Sequence, residues 1–357
     1  MIGMRELLED MVNKGASDLH ITAGLPPLFR VDGLVAASQF PQLTGDDTRH
    51  LAYSILNDEQ KMRFENEKEL DLSFGVQGLS RFRANVFQQR GATAMAIRQI
   101  PYKIHTFEEL GLPPVAQELI SRTQGMVLVT GPTGSGKSTT LATMVDTINT
   151  QRQGHIITIE DPIEFVHQHK NCIVNQREVN SDTKSFPDAL KFVLRQDPDV
   201  ILIGEMRDRE TIQAALTIAE TGHLAMATLH TNSTFESINR IVDVFPPEQQ
   251  NQVRSQLAFS LSGVITQQLV PRVRGGGRVL ALEIMVCTPA IKAMIRDNKV
   301  HQIYGLMQAG HKHGMQTMNQ SLYQAIINKW ISPEEGIGRS SDPTELTQML
   351  GDPALSI

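Results

Sequence analysis

Cysteine is almost absent from the 357-residue sequence, which contains only Cys172 and Cys287, far apart and in no CxxC pair. This scarcity excludes a disulfide scaffold and a cysteine-cluster zinc site, and it is typical of proteins in a reducing cytosol. No run of about 18 apolar residues occurs, so we expect no segment that spans a bilayer. The initial residues MIGMRELLED carry acidic side chains and helical periodicity, unlike the basic and then apolar pattern of an export signal. We therefore expect a cytoplasmic protein that reaches a membrane only through partners.

An excess of positive charge is missing too, because 33 Lys and Arg residues face 39 Asp and Glu residues, for a formal net charge of -6. Aromatic residues make up only 5% of the chain, with a single tryptophan. Both values argue against a protein whose main task is to bind nucleic acid, which needs a basic groove or aromatic stacking side chains. Hydrophobic residues make up 40% of the sequence, enough to bury a core, and the length is about right for two domains.

Residues 1–100 have the pattern of a small α+β domain. Apolar residues at helical spacing between Met4 and Val12 predict an amphipathic helix that ends near Gly15. Strand patterns follow in the segments LHIT, PLFRV, DLSFGV, RFRANVF and TAMAIRQI, and a helical pattern fills the region from Asp46 to Asn66. The proline-containing stretch 101–114 is the predicted linker to the rest of the chain.

Residues 115–289 have a different pattern, in which short β-branched runs alternate with longer helical segments. The runs are MVLVT, HIITIE, VILIG and AMATLH. This alternation predicts an α/β domain with a parallel sheet covered by helices. Residues 290–357 are predicted to be a mainly helical C-terminal region, and the glycines at 275–277 to be an exposed turn.

The segment GPTGSGKST matches the phosphate-binding pattern GxxxxGK(S/T) and stands between a strand pattern and a helical pattern. Glycines in such a loop let backbone N–H groups turn toward phosphates, and the helix N-terminus adds positive potential. Lys137 is predicted to neutralise the β- and γ-phosphate oxygens, and the Ser138 hydroxyl to ligate Mg²⁺. We therefore expect an ATP site with Mg²⁺ built from Gly131, Pro132, Thr133, Gly134, Ser135, Gly136, Lys137, Ser138 and Thr139.

Acidic residues follow two of the predicted strands. Glu160, Asp161 and Glu164 come after one strand, and Glu205 ends another. In open parallel sheets, ligands lie off the carboxyl ends of the strands, beside the phosphate loop. One carboxylate is expected to hold Mg²⁺ or its water shell, and another to orient or deprotonate the attacking water. Glu205 is the clearer candidate, since Asp199 precedes its strand, whereas the residues alone do not separate Glu160 from Glu164.

Two histidines, His223 and His230, stand at opposite ends of the apolar run LAMATL. A histidine at a strand terminus could hydrogen-bond to the γ-phosphate, or it could be an ordinary turn residue, and the run alone leaves both open. Six further histidines have no carboxylate or cysteine at metal-binding spacing, and we predict that they lie on the surface. They are His155, His167, His169, His301, His311 and His313.

The segment RFRANVFQQRGATAMAIRQI predicts a hairpin that turns at Arg90-Gly91. In that register Arg83 faces Arg98, with Arg81 on the same side. Like charges opposed across a hairpin destabilise it by several tenths of a kcal/mol, and a bound anion would relieve the conflict. We therefore predict that this face binds phosphate, either within the subunit or on a neighbour, as arginine fingers do. A solvated basic face is the alternative.

Taken in order, GPTGSGKST, ITIEDPIE, RQDPDVILIGEMRD and TGHLAMATLHTN resemble the Walker A, Asp box, Walker B and His box of the secretion-superfamily ATPases of type IV pilus and type II secretion systems. Both ends of the chain are similar to those of pilus retraction ATPases, in GASDLHITAGLPP and in the segment 288–322. The resemblance implies a PAS-like N-terminal domain and a RecA-like ATPase domain, assembled as a hexameric ring with ATP between domains and subunits.

The resemblance also implies roles for particular residues. Glu164 matches the catalytic glutamate, Glu205 the Walker B acid and His230 the His-box residue near the γ-phosphate. Arg83 and Arg98 match N-terminal-domain arginines that reach phosphate, and Arg195 matches another. Mg²⁺ would be held by Ser138, Glu164 and Glu205, directly or through water. The implied partners are the inner-membrane platform protein of the pilus base and a paralogous retraction ATPase.

One family motif departs from its usual form. Retraction ATPases usually carry AIRNLIRE, where this chain has AIKAMIRD. The spacing of Ile291, Met294 and Ile295 still predicts a packed helix face, but Lys292 lacks the planar fork of an arginine. An accessory retraction role is therefore an alternative. The extension and secretion relatives carry a tetracysteine zinc module, which two cysteines cannot supply, so the retraction type is favoured.

Three functional hypotheses follow from these features. The first is an ATP-hydrolysing ring motor for pilus retraction, with a related secretion-type ATPase as its variant. The second is a RecA-like DNA motor, which salt-sensitive DNA binding would support. The third is a scaffold that binds ATP and hardly hydrolyses it, which a phosphate-release assay distinguishes from the first.

Overall fold

The computed structural model describes residues 2–31, 33–100 and 103–351, which form two compact units. The N-terminal unit extends to Lys103 and also includes Glu164–Val166. The C-terminal unit consists of Ile104–Ile163 and the chain from His167 onward. Among the described residues, no helix combines the length and the apolar character needed to cross a membrane.

The N-terminal unit is a six-stranded antiparallel sheet with three helices. Its strands lie in the order β3-β2-β1-β6-β5-β4. Its elements are α1 (Met4–Asn13), β1 (Asp18–Ile21), β2 (Leu28–Val31), β3 (Leu34–Ala37), α2 (Gly45–Tyr53), α3 (Asp58–Glu67), β4 (Glu69–Val76), β5 (Ser80–Gln89) and β6 (Ala92–Ile100). The predicted strands are all present, and β3, whose side chains are all exposed, was not predicted.

Local sequence explains the helices of this unit. Met4, Leu7, Leu8 and Met11 of α1 are buried on one face, and Gly15 takes a positive φ of 63° just after the helix. The helical region predicted from Asp46 to Asn66 is two helices, because Asn57 and Gln60 form a capping box that starts α3.

The C-terminal unit is built on a seven-stranded sheet of order β13-β12-β7-β11-β10-β8-β9. Every strand pairs in parallel except β13, which lies antiparallel to β12 at one edge. The strands are β7 (Gly125–Thr130), β8 (His155–Glu160), β9 (Ile173–Glu178), β10 (Val200–Ile203), β11 (Leu224–Leu229), β12 (Leu261–Pro271) and β13 (Arg278–Val286). The four predicted strands form the middle of this sheet, and β9, β12 and β13 were missed because they carry polar residues or glycine.

Helices cover both faces of the sheet, with one apolar cluster on each side. The helices are α4 (Phe107–Leu110), α5 (Pro114–Ile120), α6 (Lys137–Gln151), α7 (Phe186–Val193), α8 (Arg209–Glu220), α9 (Thr234–Asp243), α10 (Pro247–Ser260), α11 (Pro289–Arg296), α12 (Ile303–Gln308), α13 (Met318–Ile327), α14 (Pro333–Arg339) and α15 (Pro343–Gly351). Short 3-10 turns span Val300–Gln302 and His311–His313. The mainly helical character predicted after residue 290 is therefore present as far as Gly351.

The stretch predicted as a linker contains structured residues. Pro101 and Tyr102 lie outside the described residues. Residues 104–114 belong to the C-terminal unit, where Phe107 and Leu112 are buried in the same apolar cluster as Leu141 of α6.

The prediction that His167 lies on the surface was wrong, because its side chain is buried. Desolvation lowers the pKa of His167 to about 4. Its backbone N–H donates to Oε1 of Gln176 at 2.8 Å, which holds the segment after β8 against β9. The physical reason for the error is that this segment is held by Gln176 of β9, a strand with no clear pattern in the sequence.

Candidate nucleotide site at the carboxyl ends of the parallel strands

The C-terminal unit brings three of the predicted sequence blocks to one edge of its sheet. β7 pairs in parallel with β11, and β11 with β10, so Thr130, Leu229 and Ile203 mark the carboxyl ends of neighbouring strands. The phosphate loop, His230 and Glu205 follow these ends directly. β8, which ends at Glu160, lies on the far side of β10. The prediction that ligand groups converge here follows from parallel pairing alone.

The phosphate loop depends on glycines at two close approaches. A Cβ on Gly131, where φ is 138°, would lie 2.3 Å from the main-chain oxygen of Gln267 and 2.7 Å from Oγ of Ser135. Gly136 caps α6 with a φ of 89°, and a Cβ there would lie 3.3 Å from Nε2 of Gln267. The buried Lys137 donates from Nζ to the carbonyl oxygens of Gly131, at 2.8 Å, and Pro132, at 3.1 Å. The lysine therefore lies across the mouth of the loop that precedes α6.

Two residues of β12, which sequence reasoning missed, support this loop. Thr266 shares a hydrogen bond of 2.7 Å with Thr130, the last residue before the loop. Nε2 of the fully buried Gln267 donates to the carbonyl oxygen of Ser135 at 2.7 Å. The signal in the sequence is the polar stretch Thr266–Gln268 between apolar residues in LSGVITQQLV, since buried polar side chains need partners.

Glu205 is bonded on both carboxylate oxygens. Nη2 of Arg207 donates to Oε2 at 2.7 Å, and Nε2 of His230 lies 3.2 Å from Oε1. Burial acts to raise the pKa of Glu205, but the Arg207 ion pair and the His230 hydrogen bond outweigh it and hold the pKa below its usual range. Arg207, two residues further along the chain, was not predicted. Glu205 is therefore held as a carboxylate in contact with His230.

The acidic residues after β8 have different surroundings. Oε1 of Glu160 accepts from Oγ1 of Thr158, at 2.6 Å, and from Nε2 of Gln176, at 3.1 Å. Asp161 and Glu164 are exposed, and Glu164 belongs to the N-terminal unit. Glu160 is therefore held at its strand end, whereas Glu164 takes part in no hydrogen bond or ion pair found among the described residues.

Arg195 is not brought to the phosphate loop within the C-terminal unit. It is exposed and lies between α7 and β10, at the amino end of that strand. The same edge carries Asp199, whose Oδ2 accepts from the backbone N–H of His155 at 2.8 Å, as its position before the strand predicts. His223 also lies at this edge, 3.1 Å from Oγ1 of Thr221. Within the C-terminal unit, Arg195 therefore lies at the edge of the sheet opposite to the phosphate loop.

The predicted arginine hairpin is present in the N-terminal unit, with Arg83 opposite Arg98 in the expected register. The bound anion invoked to relieve this pair is not required, because Asp18 supplies negative charge. Its Oδ1 accepts from Nε of Arg98 at 2.8 Å, and Nε of Arg30 lies 3.6 Å from Oδ2. Burial acts to raise the pKa of Asp18, but hydrogen bonds from Ser17 and Arg98 hold it below its usual value. Arg83 is exposed and Arg81 half-buried.

One observation besides the sequence motif indicates that this loop can bind a phosphate group. Oγ of Ser135 and Oε1 of Gln267 are buried and have no hydrogen-bond partner among the described residues. The Ser135 hydroxyl can donate a hydrogen bond to a phosphate oxygen, whereas the Gln267 amide oxygen only accepts and would need a donor. Within the described residues no group of three or more His, Cys, Asp or Glu side chains could hold a metal.

The family model for type II/IV secretion system proteins matches residues 2–335. The type IV pilus retraction ATPase PilT of Pseudomonas aeruginosa is 51% identical over 338 residues, which cover 95% of this chain and 98% of that protein. The type IV pilus ATPase PilU of the same organism is 42% identical over 345 residues, 97% of this chain and 90% of that protein. A crystal structure of the pilus retraction motor PilT with bound ADP matches 98% of this chain and 100% of that chain, with a TM-score of 0.92 and 52% identity. The predicted resemblance and fold class are confirmed.

Proposed function

Because the chain belongs to the type II/IV secretion system protein family, we propose that it is an ATP-hydrolysing motor that powers pilus retraction, as in twitching motility. The observation that carries this proposal is the phosphate loop and Glu205–His230 pair at one edge of a parallel sheet. The match to a PilT structure with bound ADP supports nucleotide binding by this chain.

The residues of the C-terminal unit would act on ATP in a defined way. Backbone N–H groups of residues 131–139 and Nζ of Lys137 bind the phosphates, with Lys137 exchanging its two carbonyl partners for β- and γ-phosphate oxygens. Ser138, Glu164 and Glu205 would hold Mg²⁺, directly or through water, and Mg²⁺ would supply charge neutralisation of the transferring phosphoryl group. His230, fixed by Glu205, hydrogen-bonds to the γ-phosphate and reports its presence.

Glu164 is proposed as the residue that orients and deprotonates the attacking water. Two features support it: its side chain is exposed, and it matches the catalytic glutamate of the family motif ITIEDPIE. Glu160 is less suited to this task, since its carboxylate is engaged by Thr158 and Gln176. Arg83 and Arg98, with Arg81, are proposed to neutralise charge on the phosphates in the transition state, and Arg195 to do so from a neighbouring subunit.

The motor is proposed to work as a cytoplasmic hexamer at the pilus base. Its partners would be the inner-membrane platform protein and a paralogous retraction ATPase, and the identity of 42% to the type IV pilus ATPase PilU supports a role in the pilus machinery. In such a ring, each nucleotide site is completed by a neighbour, so hydrolysis at one site changes affinity at the next.

Phosphate release from purified protein tests the proposal. We expect Lys137→Ala to abolish hydrolysis and ATP binding, and Glu164→Gln to abolish hydrolysis while ATP still binds. Lys170→Ala is the matched control, because Lys170 forms an exposed ion pair with Asp146 at 2.7 Å and does not contact the loop. Equal, slow hydrolysis by wild type and Glu164→Gln would support the scaffold hypothesis instead. A deletion strain that retracts its pili normally would rule out the motor.

A further inference from the structure

Glu283 on β13 is a buried carboxylate outside the nucleotide site. Glu283 is only 2% exposed. It takes part in none of the ion pairs found among the described residues. Oε1 accepts from the backbone N–H of Thr234 at 2.7 Å, and Oε2 lies 3.4 Å from the backbone nitrogen of Met318. These are the first residues of α9 and α13, so one carboxylate joins the N-termini of two helices.

Helix N-termini suit a buried carboxylate, because their first N–H groups have no partner within the helix and the helix dipole favours negative charge there. The consequence is that a displacement of either helix end relative to Glu283 stretches or breaks its bond to the carboxylate. Burial raises the pKa of Glu283, which the backbone N–H groups of Thr234 and Met318 oppose. A neutral amide at this position would present a donor to one of the two N–H groups instead of an acceptor.

The two helices belong to different parts of the C-terminal unit. Thr234 follows His230 by four residues, in the loop that leaves the nucleotide edge of the sheet. Met318 follows Gln316, whose backbone exchanges hydrogen bonds of 2.8 and 3.1 Å with Ile284 of β13. The start of α13 is therefore attached to β13 by its backbone, and Glu283 is the side chain that extends this attachment to α9.

We propose that Glu283 is a positioning residue that couples the His230 loop to the first turn of α13, so that occupation of the γ-phosphate position alters the C-terminal helices. This inference rests on the proposed function, because it assumes that His230 contacts the γ-phosphate. Thr234 adds a second contact to the same region, from Oγ1 to Sδ of Met307 in α12 at 3.3 Å.

Hydrogen exchange measured with Mg-ADP and with a non-hydrolysable ATP analogue tests this coupling. In wild type, we expect the analogue to change exchange at residues 230–237 and also at 317–322, relative to ADP. In Glu283→Gln, we expect the change at 230–237 to remain and the change at 317–322 to fall to less than a quarter. Ser321→Ala is the matched control, since it removes a different bond between α13 and β13, of 3.0 Å from the Leu282 N–H, and should leave both changes intact.

Thr234→Pro removes the N–H donor of the bond between Thr234 and Glu283. It tests the coupling independently if Glu283→Gln does not fold. Proline is favoured at the first helical position and has no N–H to donate, and the preceding Ser233 is already extended, with φ -145° and ψ 160°. A response at 317–322 that survives in either folded variant, or that is missing in wild type, would overturn the coupling. In that experiment, missing protection of residues 131–139 by either nucleotide would overturn the proposed function as well.

Discussion

Replacing Gln267 with leucine tests how the phosphate loop is held in shape. The amide donates from Nε2 to the Ser135 carbonyl at 2.7 Å, inside the loop. Leucine has a similar volume and no donor. The substitution therefore removes the support of the loop while its motif residues stay unchanged.

Two opposing effects set the magnitude. Loss of the hydrogen bond leaves the Ser135 carbonyl without its donor, which costs about 1–3 kcal/mol. Leucine also removes Oε1 of Gln267, a buried atom with no partner in the described part of the chain, and this regains a similar amount. We expect the free energy of unfolding to change by less than about 1 kcal/mol. The observed loop conformation loses about 1 kcal/mol of stabilisation relative to other conformations, so the affinity for Mg-ADP should fall about fivefold.

Titration with a fluorescent ADP analogue and urea unfolding measure the two quantities separately. Gln268→Leu is the matched control, because the neighbouring amide donates to the Arg339 carbonyl at 3.4 Å and does not reach the loop. An affinity for Gln267→Leu within twofold of wild type would refute the reasoning. Destabilisation by several kcal/mol would refute it too, since it would mean that the unpartnered Oε1 of Gln267 does not destabilise the wild-type protein.

Three further predictions concern Gly131, with Gly134 as its control, His167 and Asp18. Gly131→Ala should abolish ADP binding because its Cβ would lie 2.3 Å from a main-chain oxygen. At Gly134 a Cβ would have no atom within 4 Å, so Gly134→Ala should weaken binding only through the positive φ of that residue. Calorimetry measures ADP binding by both variants. His167→Leu should flatten the pH dependence of urea unfolding: the unfolded state binds the proton near pH 6.5 and the folded state near 4, so acidification through that window costs wild type about 3 kcal/mol. Asp18→Asn should destabilise the protein by about 1 kcal/mol at low salt by removing the counter-charge of Arg98, and by less in 1 M NaCl; an effect that salt does not change would contradict an ionic origin.

Sequence patterns predicted the features that depend on local chemistry. The glycine-rich loop, the helix after it and the apolar strands at its side each carry a short-range signal, and parallel pairing then places their carboxyl ends at one edge. The register that opposes Arg83 and Arg98 follows from the turn at Arg90-Gly91 alone. These elements are encoded by neighbours in sequence, so no tertiary contact was needed to find them.

Tertiary structure decided the features whose partners are distant in sequence. Asp18 is 80 residues from Arg98, Gln267 is 132 residues from Ser135, and Glu283 is 49 residues from Thr234. A side chain's charge or donor is visible in the sequence, but which group it meets depends on how strands order themselves in a sheet, and β12 and β13 lack a strong strand pattern. Hydrogen bonds act over about 3 Å and carry no signal along the chain, so only the folded chain brings these donors and acceptors together.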